Sequence, residues 1–165
     1  MAGTIVVYPG MFDPVTNGHL DLIERGVRIF DRLIVAVVSN PSKTPLFSID
    51  ERLDMLREAT RGMENVELDA FDGLLVRYLR QKNAGVILRG LRAISDFEYE
   101  FEMALTNRQL ADDIETVFMA PSLEYIYLRA RLVKEVSRYG GDIRQYVPPY
   151  VEGRIQEKLK KGLIV

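Results

Sequence analysis

Residues 8–19 read Tyr8-Pro9-Gly10-Met11-Phe12-Asp13-Pro14-Val15-Thr16-Asn17-Gly18-His19, and they follow the β-branched run Thr4-Ile5-Val6-Val7. The apolar run stops at Pro-Gly, and a helical pattern begins after Gly-His. This order predicts a strand, a loop and the first turn of a helix. Such a junction aims backbone N–H groups and the positive end of a helix dipole into one crevice. The stretch therefore indicates a site for a phosphate group.

The alternation of strand and helix continues along the chain. The predicted strands are Thr4–Tyr8, Leu33–Val38, Val66–Ala70, Gly85–Leu88 and Glu115–Met119. Strands that alternate with helices form right-handed βαβ units and a parallel sheet covered on both faces. The predicted fold class is α/β, with one doubly wound, Rossmann-like domain over residues 1–165. It has a five-stranded parallel sheet and a C-terminal helix, and its ligand crevice lies at the C-terminal ends of the strands.

Local signals mark the helices between these strands. Leu20, Ile23, Val27 and Phe30 recur with the spacing of a one-faced helix. Ser48-x-x-Glu51 and Ser95-x-x-Glu98 are capping boxes, which predict the starts of two further helices. Other helices are predicted over Leu74–Lys82, around Leu132–Val136 and over Tyr150–Lys161.

Composition limits the class of protein. The chain has 165 residues, of which 47% are hydrophobic and 28% charged, and its net charge is −2. These values indicate a soluble globular protein, and they provide no general basic field that would favour nucleic acid or a membrane surface as a partner. The chain has no cysteine, no signal-peptide pattern and no membrane-spanning run. We therefore expect a cytoplasmic protein, and we predict no metal-ligating residues.

His19 is the single histidine of the chain. A lone histidine is often structural, but its place directly after Gly18 at a predicted helix start favours a role in the crevice. The positive end of a helix disfavours an imidazolium, so we expect a neutral ring that donates a hydrogen bond to a phosphate oxygen. The sequence contains neither G-x-x-x-x-G-K-[ST] nor G-x-G-x-x-G, which excludes the P-loop and the dinucleotide fingerprint.

Two clusters with basic residues follow predicted strands. Residues 40–45 read Asn40-Pro41-Ser42-Lys43-Thr44-Pro45 and form either a solvated loop or part of the crevice rim, where Lys43 could reach a phosphate. Residues 88–92 read Leu88-Arg89-Gly90-Leu91-Arg92. They hold either a surface pair of arginines or a turn that presents two guanidinium groups to one polyanion.

Together these segments resemble the phosphopantetheine adenylyltransferase family of the nucleotidyltransferase superfamily. The similarity runs from Tyr8 to about Tyr146 in the family's order. The matching segments are Tyr8–Gly10, Phe12–Pro14, Thr16–His19, Pro41–Lys43, Arg89–Ala93, Asp96–Glu100 and Leu132–Glu135. The resemblance implies reversible transfer of AMP from ATP to 4′-phosphopantetheine, giving dephospho-coenzyme A and pyrophosphate, with Mg²⁺ accompanying ATP. It places the activity in coenzyme A biosynthesis, and it implies a homo-oligomer, namely a hexamer of paired trimers.

The resemblance also implies roles for individual residues. His19, Lys43 and Arg92 are the expected catalytic residues, and His19 steadies the α-phosphate in the transition state. Met11, Lys43, Leu75 and Arg89 are expected to bind phosphopantetheine. The residues expected to bind ATP are Met11, Phe12, His19, Gly90, Leu91, Arg92, Glu100, Tyr125, Ile126, Tyr127, Leu128, Arg129, Ala130 and Arg131.

Two places depart from the family's pattern where the substrates would meet. Met11 stands where the family carries Ser or Thr, and Leu128-Arg129-Ala130-Arg131 stands where it carries Ile-Ser-Ser-Ser or Ile-Ser-Ser-Thr. We expect the arginines to fill space that phosphates would occupy, with one of them pointing inward because positions i and i+2 of a helix do not share a face. A redesigned or engineered binding or assembly scaffold with impaired catalysis is the alternative hypothesis. A cytidylyltransferase is a third, which the segments around Lys43 and Arg89 disfavour.

Overall fold

Five parallel strands form the sheet among the residues that the computed structural model describes, which are 3–39, 44–92 and 94–162, with the backbone alone of 94–96. The strands are β1 (Ile5–Gly10), β2 (Arg32–Val38), β3 (Val66–Phe71), β4 (Val86–Gly90) and β5 (Glu115–Met119). Their order is β3-β2-β1-β4-β5, and every neighbouring pair is parallel. The predicted α/β class and all five predicted strands are confirmed.

The order of the strands reverses at β1. From β1 the chain moves outward to β2 and β3, then returns to the other side of β1 to form β4 and β5. Val6 is accordingly in register with Leu33 on one side and with Val86 on the other. A sheet with this reversal leaves a crevice at the C-terminal ends of the two diverging strands, where α/β proteins bind ligands.

Consecutive residues of each strand point to opposite faces of the sheet, and both faces are covered. Val6 belongs to the larger core, with Ile23 of the first helix and Val151 of the last. Val7 belongs to a second core, with Leu79 on the other face. This double burial explains why the strands are continuous apolar runs rather than alternating ones.

Six α-helices surround the sheet within the described ranges, and one short 3₁₀ turn lies at Leu123–Tyr125. The helices are α1 (Asn17–Gly26), α2 (Ile49–Ala59), α3 (Leu75–Gln81), α4 (Ile94–Leu110), α5 (Ala130–Arg138) and α6 (Pro149–Lys160). Over residues 3–39, 44–92 and 94–162, none of the helices is long and apolar enough to cross a bilayer.

The capping predictions have different outcomes. Ser48 caps α2 as predicted, since the Glu51 N–H donates to Ser48 Oγ at 3.2 Å and the Ser48 N–H donates to the Glu51 carboxylate at 2.8 Å. The capping box at Ser95 is wrong, because α4 begins at Ile94 and Ser95 lies within the helix.

Helix α1 is also shorter than its apolar spacing predicts. It ends at Gly26, and the Asn65 side chain donates to the Val27 carbonyl at 2.9 Å and so satisfies one of its last acceptors.

Helix α4 carries apolar side chains on surfaces that face solvent. Tyr99 is 63% exposed and Leu105 is 52% exposed, and the rings of Phe97 and Phe101 stack with centroids 5.5 Å apart. Met103 and Leu110 are exposed as well. An exposed apolar surface of this kind is typical of a protein–protein contact.

Candidate active site

A cavity of about 420 Å³ opens where β1 and β4 end. Its walls come from the loop after β1, the first turn of α1, the residues after β4 and the segment 121–134. The predicted site residues that line it are Met11, Phe12, His19, Arg89, Gly90, Arg92, Glu100, Tyr125, Leu128, Arg129, Ala130 and Arg131. The fold therefore gathers sequence segments more than 100 residues apart around one space.

Four of the other predicted residues lie elsewhere, and a fifth is not described. Leu91 donates its N–H to the Met119 carbonyl at 3.0 Å, and Tyr127 is 82% exposed, while neither they nor Ile126 form part of the cavity wall. Leu75 packs against the core on the far face of the sheet. Lys43 lies outside the described residues.

His19 is held in one orientation by the cap of its own helix. Thr16 is the N-cap residue of α1, and its backbone N–H donates to His19 Nδ1 at 3.0 Å. Because Nδ1 accepts this bond, the proton of the neutral ring is on Nε2. Burial lowers the pKa of the His19 imidazole to about 3, and the positive charges of Arg92 and Arg89 add to this shift. At neutral pH the side chain is therefore an uncharged donor at the cavity wall.

Phe12 supports the other side of the imidazole. The two rings meet edge-on with centroids 5.0 Å apart, and Phe12 is itself 1% exposed. Its backbone has φ +48°, in the left-handed region that a bulky residue seldom adopts. A Cβ on Gly10 would lie 2.8 Å from Phe12 Cζ, so the absence of a side chain at Gly10 is what gives this ring its place.

The two arginines at the C-terminal end of β4, Arg89 within the strand and Arg92 just after it, have different surroundings. Arg89 donates from Nε and Nη2 to the two oxygens of Glu100, at 2.7 and 2.6 Å, and from Nη1 to the Pro9 carbonyl at 2.9 Å. Burial opposes the charge of Arg89, but hydrogen bonds to Glu100 outweigh it and raise the pKa of the guanidinium. Arg92 donates to the Leu128 carbonyl at 3.1 Å, which ties the end of β4 to the segment before α5.

The buried carboxylate of Asp13 lies at the cavity wall, and no sequence motif predicts a role for it. Asp13 is 5% exposed and accepts the backbone N–H groups of Leu46 and Phe47 at 3.0 and 2.9 Å. Lys134 of α5 places its Nζ 2.7 Å from the same carboxylate. The residue belongs to the quoted stretch 8–19, but no sequence signal identifies its partners, which are 33 to 121 positions away.

A second set of contacts fastens the segment after β5 to α1. Asp21 accepts the Ser122 N–H at 2.9 Å and the Ser122 hydroxyl at 2.5 Å, while Arg25 donates to the Ala120 carbonyl at 2.7 Å. The same helix therefore carries His19 and anchors the chain that leads to the cavity wall at Tyr125.

Comparison with known proteins places this site in a family. The family model for cytidylyltransferase-like proteins matches residues 7–136. The chain is 57% identical over 157 residues to a phosphopantetheine adenylyltransferase of Carboxydothermus hydrogenoformans, covering 95% of this chain and 97% of the relative. It is 54% identical over 158 residues to that of Caldanaerobacter subterraneus, covering 96% and 99%.

The chain belongs to the phosphopantetheine adenylyltransferase family. Two solved structures share its fold at low sequence identity. One, from Vibrio parahaemolyticus, is assigned as a nicotinate-nucleotide adenylyltransferase and has a TM-score of 0.67 at 16% identity over 98% of this chain and 94% of the other. A lipopolysaccharide core biosynthesis protein from Thermoplasma volcanium has a TM-score of 0.53 at 20% identity, over 73% and 98%.

The positions at which this family member departs from the pattern lie on the cavity wall. Arg129 is the N-cap residue of α5, with extended backbone angles (φ −124°, ψ 140°), and Arg131 is the second residue of the helix. Both side chains are exposed and both line the cavity. The i, i+2 relation of helical residues, on which the prediction that one of them points inward depends, does not apply to this pair, because Arg129 precedes the helix. Met11 is half-buried, and its carbonyl accepts a hydrogen bond from Arg52 at 2.8 Å.

Few acidic side chains lie at the cavity in the described part of this phosphopantetheine adenylyltransferase-family chain. No group of three or more His, Cys, Asp or Glu side chains there could hold a metal ion. The carboxylates at the cavity are those of Asp13 and Glu100, and each already forms an ion pair, with Lys134 and Arg89 respectively. At nucleotide sites Mg²⁺ is bound by one or two carboxylates together with the phosphates of the substrate. The paired carboxylates of Asp13 and Glu100 therefore do not fit a magnesium ion that binds without a nucleotide.

Proposed function

We propose that this chain is a pantetheine-phosphate adenylyltransferase, which transfers AMP from ATP to 4′-phosphopantetheine and releases pyrophosphate. The observation that carries the proposal is the neutral His19 ring, fixed by Thr16 at a helix N-terminus in the cavity at the ends of β1 and β4. The names of relatives that cover almost the whole chain support the same reaction. By this proposal the product is dephospho-coenzyme A, a precursor of coenzyme A.

The charge of the cavity wall suits two polyanionic substrates. Arginine or lysine side chains line it at five positions, Arg89, Arg92, Arg129, Arg131 and Lys134, against the two carboxylates of Asp13 and Glu100. The whole chain has a net charge of −2, so this positive charge is local. Local cations of this kind raise the concentration of an anionic ligand at the site and lower the repulsion between two phosphate-bearing substrates.

The chemistry requires no general base. A phosphate oxygen of phosphopantetheine, already anionic, forms a bond to the α-phosphorus of ATP. The bond from that phosphorus to the bridging oxygen breaks, and its electron pair leaves with pyrophosphate. In this proposal Nε2–H of His19 donates to an α-phosphate oxygen as charge develops there, and Arg92 contributes positive charge. Catalysis then comes from alignment and charge stabilisation, which a neutral, fixed imidazole can provide without moving a proton.

The family resemblance, together with the residues that line the cavity, supports an assignment of the two substrates to different parts of its wall. We assign ATP to the wall formed by His19, Gly90, Arg92, Tyr125 and residues 128–131, and phosphopantetheine to the side of Met11 and Arg89. Lys43 and Leu75 remain predictions from the family resemblance. Mg²⁺ enters in this proposal as part of MgATP, because the described carboxylates at the cavity are already paired.

We also propose a homo-oligomer, with a hexamer as its family-derived size. The exposed apolar surface of α4, which includes Phe101, Met103 and Leu105, supports this assembly. The cytoplasmic location expected from the sequence stays a prediction.

Pyrophosphate release from MgATP and 4′-phosphopantetheine tests the function, with calorimetric titration of ATP as a second measurement. We expect turnover with ATP and none when CTP replaces it. Turnover with CTP would make the chain a cytidylyltransferase. Binding of ATP without turnover would instead favour the scaffold alternative, to which the comparisons give no support.

A further inference from the structure

Asp13 connects three separate parts of the cavity wall. The residue itself belongs to the loop after β1, and its carboxylate accepts the N–H groups of Leu46 and Phe47 at 3.0 and 2.9 Å. These residues follow directly after Thr44 and Pro45, which line the cavity. The same carboxylate lies 2.7 Å from Nζ of Lys134, one turn after the N-terminus of α5.

A buried arginine extends these contacts beneath the cavity. Arg52 is 2% exposed, and its Nη1 donates to the carbonyls of Met11 at 2.8 Å and Val38 at 3.4 Å. Its Nε donates to the Ser48 carbonyl at 3.3 Å. Burial lowers the pKa of the Arg52 guanidinium, and the negative charge of Asp13 opposes this change. Arg52 thus binds the ends of β1 and β2 and the start of α2. The negative charge of Asp13 stabilises the charged form of this arginine.

The carboxylate is poorly suited to contact the substrates itself. One oxygen of Asp13 accepts the Phe47 N–H, and the other accepts from Leu46 and Lys134. A carboxylate would also repel phosphates. Its contacts instead fix the segment at Thr44 and Pro45 relative to the start of α5, and both of these parts line the cavity.

We propose that Asp13 is a positioning residue for adenylyl transfer, acting through Lys134 and through the N–H groups of Leu46 and Phe47 to hold these two parts of the cavity wall in the positions that in-line reaction requires. The inference rests on the proposed function. A displacement of about 1 Å between reacting groups can cost about 100-fold in rate, so a small relaxation of these walls is sufficient to slow the reaction.

The test compares Asp13→Asn, Lys134→Met and the double variant, with kcat and KM measured for both substrates. We expect Asp13→Asn to lower kcat by about 10- to 100-fold with little change in KM, because alignment is lost rather than binding. Lys134→Met should cost less, since the bonds to Leu46 and Phe47 remain. The double variant should be no slower than Asp13→Asn, because both changes break one interaction.

Control variants separate this role from general destabilisation. Lys82→Met removes a comparably shielded ion pair, in which Nζ lies 3.0 Å from Glu67 Oε1 and 2.6 Å from Asp69 Oδ2 on the outer strand β3, away from the cavity, and it should leave kcat unchanged. Lys134→Arg keeps a cation for Asp13 and should recover most of the activity that Lys134→Met loses. If Asp13→Asn does not fold, this pair of Lys134 variants carries the test.

A second readout does not depend on turnover. Amide hydrogen exchange of Leu46 and Phe47 should be slow in the parent and faster in Asp13→Asn. Unchanged exchange rates would overturn the inference. Losses in kcat that multiply in the double variant, or a Lys134→Met effect confined to KM, would also overturn it, because either result would make Lys134 a direct phosphate ligand. A parent that fails to turn over would contradict the proposed function alone, because the exchange rates still report whether Asp13 holds the wall.

Discussion

The backbone N–H of Thr16 lies 3.0 Å from Nδ1 of His19, within the first turn of α1. A capping box ordinarily has Glu or Gln at this position, so the histidine takes over the structural role of the cap and leaves Nε2–H for another partner. Nδ1 of His19 therefore accepts a hydrogen bond at the helix terminus, whereas Nε2–H can donate one at the cavity.

Replacing His19 by Ala should lower adenylyl transfer by about 100- to 1,000-fold, the usual cost of losing one preorganised donor to developing charge. The fold should persist, as judged by circular dichroism. Asn17→Ala is a matched control in the same turn, because its side chain donates to the Gln145 carbonyl at 3.0 Å and does not line the cavity. Parental turnover in the His19 variant would mean that the histidine serves the helix cap alone.

Stability should fall as the pH decreases below 6.5. The unfolded chain protonates its single histidine near pH 6.5, whereas the folded chain does so only near pH 3, so the unfolded state binds more protons between these values. Unfolding free energy should drop by up to about 1.4 kcal/mol between pH 7.5 and 5.5. Urea titrations at both pH values measure it, and His19→Gln, which retains a capping-box residue, should remove most of the difference. An equal pH dependence in both proteins would contradict the depressed pKa.

Restoring the family's hydroxyls should speed up adenylyl transfer by about 10- to 100-fold. The variant combines Met11→Thr with Ser at positions 129 to 131, so that phosphates can approach the first N–H groups of α5. Arg129 provides no side-chain cap, and Ser there should also stabilise the protein by about 1 kcal/mol. Turnover measured in both proteins checks the first effect and thermal unfolding the second. Equal rates would show that the arginines are working phosphate ligands.

Gly10→Ala should destabilise the protein by about 1–3 kcal/mol and slow turnover. The new methyl group would lie 2.8 Å from Phe12 Cζ, and the ring that it displaces is packed against His19. Gly153→Ala in α6 is the matched control. Apart from the adjacent residues and the backbone of the helix itself, nothing lies within 4 Å of the added carbon there, so this change should stabilise the helix by up to about 1 kcal/mol. Denaturant midpoints and initial rates of both variants measure these effects.

Leu105→Lys should reduce the assembled mass of the protein in solution. Leu105 is 52% exposed on the apolar surface of α4, and a charge in a subunit contact is costly to desolvate. Light scattering at micromolar concentration measures the mass. Ile29→Lys, at a position that is 64% exposed near the end of α1, should leave it unchanged. A parent that is already a monomer would refute the assembly proposal.

The fold could be predicted from the sequence because its strands are buried on both faces. Runs such as Leu33–Val38 are short, rich in β-branched residues and bounded by turn residues, which distinguishes them from segments of a buried helix. The helix ends were harder to predict. A capping pattern at Ser95 has the right letters, but α4 starts one residue before it.

The positions of candidate site residues could be predicted where these residues lie near the ends of strands. Contacts between residues that are far apart in the sequence could not be predicted. His19, Arg89 and Arg92 all lie at the ends of β1 and β4, as the sheet rule requires. The Asp13–Lys134 ion pair joins positions 121 apart, and no periodicity or spacing carries that information. The pairing of Arg89 with Glu100 is likewise a property of packing.

The contact between Asp21 and Ser122 has a consequence for divergence within the family. The chain after β5 is fixed at Ser122 by α1, and it is fixed again at Leu128, which is buried and accepts from Arg92. Between these two points the side chains of Leu123 and Tyr127 are 88% and 82% exposed. Substitutions at these two exposed positions should therefore accumulate at little cost to folding, while the anchored ends keep the cavity wall at Tyr125 and Leu128 in place.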